Sequence, residues 1–251
     1  MDTGTLERAL AAVGLHARVR WDEVTGSTNH VAEAMAAEGA PEWSIAAAGH
    51  QTAGRGRFGR TWEDRPGHAL MWSVLLRPSA LAAEDAGLIP LMAGVALAGA
   101  CRSITGLDIR CKWPNDLQLE GAKVGGILVE SQVAGGRLNV AVVGSGLNLQ
   151  PPEGVQGAGG LGADVDPEAL LSAYLRELVA LYGRASAGDR DAVTNGWRAL
   201  SATLGRDVRA ATLDGLMVQG MAVDLDARGG LIVETSGGRV TVAFGEVEHL
   251  G

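Results

Sequence analysis

Nine residues, Gly54-Arg55-Gly56-Arg57-Phe58-Gly59-Arg60-Thr61-Trp62, interleave three glycines with three arginines. Glycine lets backbone N–H groups approach a ligand closely. Arginine offers a rigid fork of donors that fits phosphate and carboxylate oxygens. Together they describe a pliable loop able to fold over an anion. A solvated basic loop or an RNA-binding Arg-Gly segment remains open, although such segments are usually repeated and disordered, and this one is single.

Three further segments carry chemistry. Lys112-Trp113-Pro114-Asn115-Asp116 sets a cation, an aromatic ring, an amide and a carboxylate at one strand end. Asp116 suits Mg²⁺, a hard ion that prefers oxygen ligands; Trp113 is equally compatible with a core position, and Asn115 and Asp116 with a plain turn. Lys123 precedes Gly125 and Gly126, glycines that weaken a strand unless something approaches the backbone there. The alternative is a β-bulge with a surface lysine. Ser27-Thr28-Asn29 opens a helical pattern, where free N–H groups favour polar or anionic ligands, or where Ser27 is simply a cap. Of 21 basic residues only Lys112 and Lys123 are lysine, and both fall inside these segments.

The elements that must position these residues follow from periodicity. Helices are expected at 6–15, from Asn29 onward, at 85–104 with Leu88, Leu91, Met92, Val95 and Gly99 on one face, at 167–182 and at 191–203. Strands are expected at 21–24, 43–49, 69–76, 109–113, 123–133 and 137–147, the last two joined at Ala134-Gly135-Gly136. Residues 150–164, rich in Pro and Gly, read as a mobile loop. After Leu204 four short alternating segments, separated at Asp214-Gly215, Arg228-Gly229-Gly230 and Gly237-Gly238, suggest a small antiparallel β-barrel. The chain therefore divides into residues 1–203 and 204–251.

Composition bounds the rest. The 251 residues are 47% hydrophobic and 20% charged with net charge −8, which disfavours general nucleic-acid binding. The most apolar stretch, Leu88 to Ala100, falls short of the roughly 18–20 residues of a membrane span and is interrupted by Pro90 and Gly94. The start MDTGTLERAL lacks the features of a secretion signal. Cys101 and Cys111 make no disulfide framework. A cytoplasmic location, no membrane partner and a monomer or weak homodimer are expected.

Ser27-Thr28-Asn29, Gln51-Thr52-Ala53-Gly54-Arg55-Gly56-Arg57, Lys112-Trp113-Pro114-Asn115-Asp116 and Lys123-Val124-Gly125-Gly126-Ile127-Leu128, in this order, resemble the biotin–protein ligase family, from about Trp21 to the C-terminus. The resemblance implies an α+β fold: a mixed sheet flanked by helices, class II synthetase-like, with a small SH3-like C-terminal barrel ending near Gly245-Glu246-Val247. It implies ATP-dependent attachment of biotin, through biotinyl-5′-AMP, to a lysine of the biotin carboxyl carrier domain of acetyl-CoA carboxylase or another biotin-dependent carboxylase, with Mg²⁺ accompanying ATP. It assigns biotin binding to Ser27, Thr28, Asn29, Gln51, Gly54, Arg55, Gly56, Arg57, Lys123, Gly125 and Gly126. It assigns nucleotide binding to Arg57, Arg60, Trp62, Lys112, Asn115, Asp116 and Asn148, with residues 150–164 as a loop over the adenine. Catalysis falls to Lys123, Arg55, Arg57 and Lys112. Some members begin with a winged helix-turn-helix that binds operator DNA. Only about twenty residues precede Trp21, so no operator binding and no repressor function are expected. A lipoate or octanoate ligase of the same fold is the nearest alternative.

Overall fold

The computed structural model describes residues 1–212 and 215–250; the expected turn at Asp214 lies outside the described residues. Two sheets dominate. The first has seven strands, β1 (Val19–Thr25), β2 (Ile45–Gln51), β3 (Ala69–Leu76), β4 (Arg110–Lys112), β5 (Asp116–Leu119), β6 (Ala122–Ala134) and β7 (Arg137–Asn148), in the order β1-β2-β3-β7-β6-β5-β4. Only β1 and β2 run parallel, and every other neighbour pair is antiparallel, so the sheet is mixed as expected.

Helices α1 (Thr3–Ala11), α3 (Leu88–Thr105), α4 (Pro167–Ser186) and α5 (Asp191–Ala199) pack with one face of this sheet, and α2 (Thr28–Ala37) covers the other. Strand β3 shows why both faces are needed. Its alternate residues Leu70, Trp72, Val74 and Leu76 join the main core, while Leu75 joins the small cluster under α2 with Ala32 and Met35. All eight of its residues are buried, which explains its unbroken apolar run.

Helix α3 departs from the single-face expectation. Ala93, Ala96, Leu97, Ala98 and Cys101 are buried along with Leu88, Leu91 and Met92, whereas Val95 and Gly99 are only partly so. The sheet lies on one side of it and α4, α5 and Gly229, in a turn of the C-terminal segment, lie on the others. The segment Ala83–Thr105 is in fact long and apolar enough, at mean hydropathy 1.6, to cross a membrane by length and composition. Its apolarity answers to this enclosure instead.

The C-terminal sheet is entirely antiparallel and SH3-like. It has five strands rather than four: β8 (Asp207–Thr212), β9 (Met217–Leu225), β10 (Leu231–Thr235), β11 (Gly238–Val242) and β12 (Gly245–His249), ordered β11-β10-β9-β8-β12. Trp113 ties it to the first sheet. The ring is 2% exposed, Nε1 donates to Gly229 O at 2.9 Å and the backbone N–H donates to Thr203 Oγ1 at 3.0 Å. The core reading of Trp113 is therefore the one the packing supports.

Two local readings need correction. Asp116 is not only a turn residue: it starts β5 and stands opposite Lys112 of β4. Four residues are too few to show a period. Residues 150–164 contain no helix or strand, as expected, yet residues 157–161 are bonded to the sheet. Lys123 N donates to Gly157 O at 2.7 Å, Gly159 N donates to Lys123 O at 2.8 Å, and Leu161 N donates to Asn148 O at 2.9 Å. Backbone groups of that segment find partners at the sheet rather than in water.

Candidate functional site

A cleft of about 520 Å³ opens where the two sheets meet. One wall is the start of α2. Ser27 occupies the N-cap position but makes no side-chain capping bond. Gln51, at the end of β2, takes that role: its Oε1 accepts from Thr28 N at 2.7 Å and lies 3.2 Å from Thr28 Oγ1. Ser27, Thr28, Asn29 and Gln51 all line the cleft, so a cap supplied from 23 residues away leaves the helix start available to a ligand.

Asn29 is held from three sides. Ser73 Oγ donates to its Oδ1 at 2.6 Å, and its Nδ2 donates to Glu130 Oε2 at 2.7 Å and to Leu128 O at 3.3 Å. The approach requires glycine opposite. A Cβ on Gly144 of β7 would fall 2.2 Å from Asn29 Oδ1. Two residues on, a Cβ on Gly146 would fall 2.7 Å from Cζ2 of Trp62. Gly126 of β6 completes this strand surface, with Lys123 Nζ 3.4 Å from where its Cβ would sit. Flat strand backbone thus replaces side chains along the cleft.

The Arg-Gly loop covers this surface as a short finger. Gly56 N donates to Arg60 O at 2.7 Å, and Trp62 N donates to Gly54 O at 3.0 Å. Phe58 at its tip takes left-handed backbone, φ 54°, and is 54% exposed. Gly59 follows at φ 74°. Gly54 has a different reason: a Cβ there would meet Trp62 O at 2.4 Å. Each arginine has its own anchor. Arg55 donates to Glu130 Oε2 at 2.6 Å, Arg57 donates to Gly245 O at 3.0 Å and Asn115 Oδ1 at 3.3 Å, and Arg60 pairs with Glu246. Burial works against the charge of Arg57, while Glu246 and Asp116 favour it. A half-buried guanidinium without a full carboxylate partner is a ready site for an incoming anion.

Lys123 Nζ lies 2.6 Å from Asp116 Oδ1, and Lys112 lines the same cleft. Arg55, Arg57, Arg60, Lys112 and Lys123 therefore converge on one space. Arg55 Nε and Trp62 Nε1 are buried there without a protein partner, two donors that ask for an acceptor. Among the described residues no cluster of three or more His, Cys, Asp or Glu side chains is placed to hold a metal. With Lys123 on Asp116, the residues do not form a resident Mg²⁺ site; Mg²⁺ fits here only as a companion of substrate phosphates.

Three expected site residues lie off the cleft. Gly54, at the base of the loop, is buried against Trp62. Gly125 faces Leu147 and Gly146, where a Cβ would fall 2.6 Å from Leu147 Cδ2. Asn148 is 5% exposed and its Nδ2 donates to Gly159 O at 3.1 Å, holding the 150–164 segment. The sequence reading missed Gly144 and Gly146, Glu130, and Arg209, Met217, Glu246 and Glu248 of the C-terminal sheet. Gly144-Ser145-Gly146 within an apolar strand was the available signal. Glu130 and the C-terminal residues carry none, since their distance in sequence hides their proximity.

Comparison with known proteins shows the family. Residues 21–148 match the model of the biotin/lipoate A/B protein ligase family, and residues 203–250 match the biotin protein ligase C-terminal domain. A biotin–[acetyl-CoA-carboxylase] ligase of Mycobacterium tuberculosis is 34% identical over 90% of this chain and 86% of its own length. One from Paracoccus denitrificans is 34% identical over 89% of this chain and 97% of its own length. The structure of the Aquifex aeolicus biotin protein ligase in complex with biotin and ATP superposes with TM-score 0.78 at 25% identity, covering 93% of this chain and 98% of that one. The chain thus belongs to the biotin/lipoate A/B protein ligase family and carries, in its second sheet, the C-terminal domain of the biotin protein ligases.

Proposed function

We propose that this protein joins biotin to a lysine side chain of an acceptor protein, using ATP and passing through biotinyl-5′-AMP. The observation that carries the reading is the convergence of five cationic side chains on a cleft whose sheet side is glycine backbone. Biotin and ATP are both anions. Their reacting oxygens meet only where protein charge offsets their repulsion.

In this reading biotin lies along Gly126, Gly144 and Gly146, with its ureido group toward Ser27, Thr28, Asn29 and Gln51. Its carboxylate reaches Lys123 and Arg57. The nucleotide occupies the side of Arg60, Trp62, Lys112, Asn115 and Asp116. A carboxylate oxygen attacks the α-phosphorus, the bond from phosphorus to the bridging oxygen breaks, and pyrophosphate leaves. The acceptor amine then attacks the acyl carbon, the bond to the phosphate oxygen breaks, AMP leaves and the nitrogen gives up a proton. Preorganised donors of this kind each contribute about 3–4 kcal/mol to the barrier reduction. Arg55, through Glu130, holds the base of the loop and Asn29 together.

The division into residues 1–203 and 204–251 and a carboxylase's biotin carboxyl carrier domain as acceptor belong to the same proposal. The relatives named as biotin–[acetyl-CoA-carboxylase] ligases support the acceptor class. The test is biotin-dependent exchange of pyrophosphate into ATP. Exchange with biotin but not with lipoic or octanoic acid is expected; the reverse preference overturns the proposal.

A further inference from the structure

We infer that strand β12 of the C-terminal sheet is the latch of the Arg-Gly loop, and that Glu246 is its positioning residue. The loop rises from the first sheet and bonds mostly to itself through Gly54, Gly56, Arg57, Arg60 and Trp62. Arg55 fixes its base on Glu130 of β6. Its outer half is held elsewhere. Arg57 Nη1 donates to the Gly245 carbonyl at 3.0 Å, and the Arg60 guanidinium pairs with the Glu246 carboxylate. Two consecutive residues of one strand, about 190 positions downstream, thus grip two arginines of one finger. β12 is suited to this. It ends the C-terminal sheet and pairs with β8 alone, so its second edge is available to the loop. The Glu246 side chain is 34% exposed and that of Arg60 69%, so the pair is a surface one and its loss is expected to change loop opening only a few-fold.

The consequence is that the C-terminal sheet sets how often the cover lifts. With the latch made, the loop keeps water from a reactive intermediate; with it broken, Arg57 keeps only Asn115 and the loop opens more often. The leak part of this inference rests on the ligase reading; the latch itself does not.

The test compares wild type, Glu246→Gln, Arg60→Glu and the charge-reversed pair Arg60→Glu/Glu246→Arg, all as full chains. Amide hydrogen exchange at Gly56 and Trp62, whose N–H groups are bonded within the loop, is read without any substrate. Exchange roughly threefold to fivefold faster in each single variant, with protection restored in the reversed pair, is expected. Equal exchange in Glu246→Gln and wild type, or a reversed pair as loose as the singles, overturns the latch. Amides of β8 serve as the control for folding. Released biotinyl-AMP is then measured with biotin and ATP. Several-fold faster release from Glu246→Gln is expected, and unchanged release overturns the coupling to chemistry. A wild type that makes no adenylate defeats the ligase proposal instead, and exchange alone decides the latch.

Discussion

Gly144→Ala is the sharpest perturbation of the cleft wall. Gly144 sits mid-strand between Ser73 and Leu128, so alanine meets no backbone strain there. The whole effect is steric. The new Cβ would stand 2.2 Å from Asn29 Oδ1 and 3.0 Å from its Cγ, and relief requires Asn29 to move by about 1 Å. Its bonds to Ser73 and Glu130, at 2.6 and 2.7 Å, would then exceed hydrogen-bond range. Losing two such bonds costs about 1 kcal/mol each, and overpacking adds about 1–3 kcal/mol. A chain of this length should lose roughly 6–20 °C in Tm. A displaced Asn29 should weaken biotin by about 1–3 kcal/mol, near one or two powers of ten in Kd. Calorimetric titration with biotin and thermal unfolding check both. A Kd and Tm equal to wild type would refute the claim that Gly144 exists to admit Asn29.

Lys123→Ala should abolish adenylate formation and leave the fold intact, because the side chain is 41% exposed and its removal opens no core cavity; pyrophosphate release beside a far-ultraviolet circular dichroism spectrum reads both, and normal release counts against the mechanism. Arg57→Gly removes the loop's bonds to Asn115 and Gly245, so adenylate should escape and label lysines of bystander proteins; strict acceptor specificity in that variant would defeat the cover role. His249 gives a pH signature. Burial, then the nearby Lys112 and Arg206, push it down from 6.5 to about 4. The native state thus favours the neutral ring, and its contribution is fully present above pH 6.5 and lost as pH falls toward about 4. Urea midpoints should drop across that window, and less so in His249→Gln. Parallel profiles would remove His249 as the cause.

How much of this was legible in the sequence depended on the range of the interaction. Strand β3 and helix α4 were readable because apolar spacing and turn residues act locally: Asp166 caps α4, with Pro167 at its first turn. The Arg-Gly finger was readable because three arginines and three glycines fall within nine residues, and the two lysines because the chain has no others. Helix α3 misled because its face count assumed one covering surface, whereas the sheet, α4 and α5 all pack on it. Gln51 capping α2, Glu130 bridging Asn29 to Arg55, and Glu246 holding Arg60 are pairings across 23 to 186 positions. No local pattern encodes them. Asn148 shows the reverse case, a polar residue set in a glycine-rich segment whose amide serves a neighbouring loop rather than the cleft.

The most direct test of the account is a crystal structure of the protein after incubation with biotin, ATP and Mg²⁺. The junction between the acyl carbon and the α-phosphate should lie within hydrogen-bond reach of Lys123 and Arg57, with the ureido ring at Ser27, Thr28 and Asn29. A ligand seated away from those five residues would contradict it.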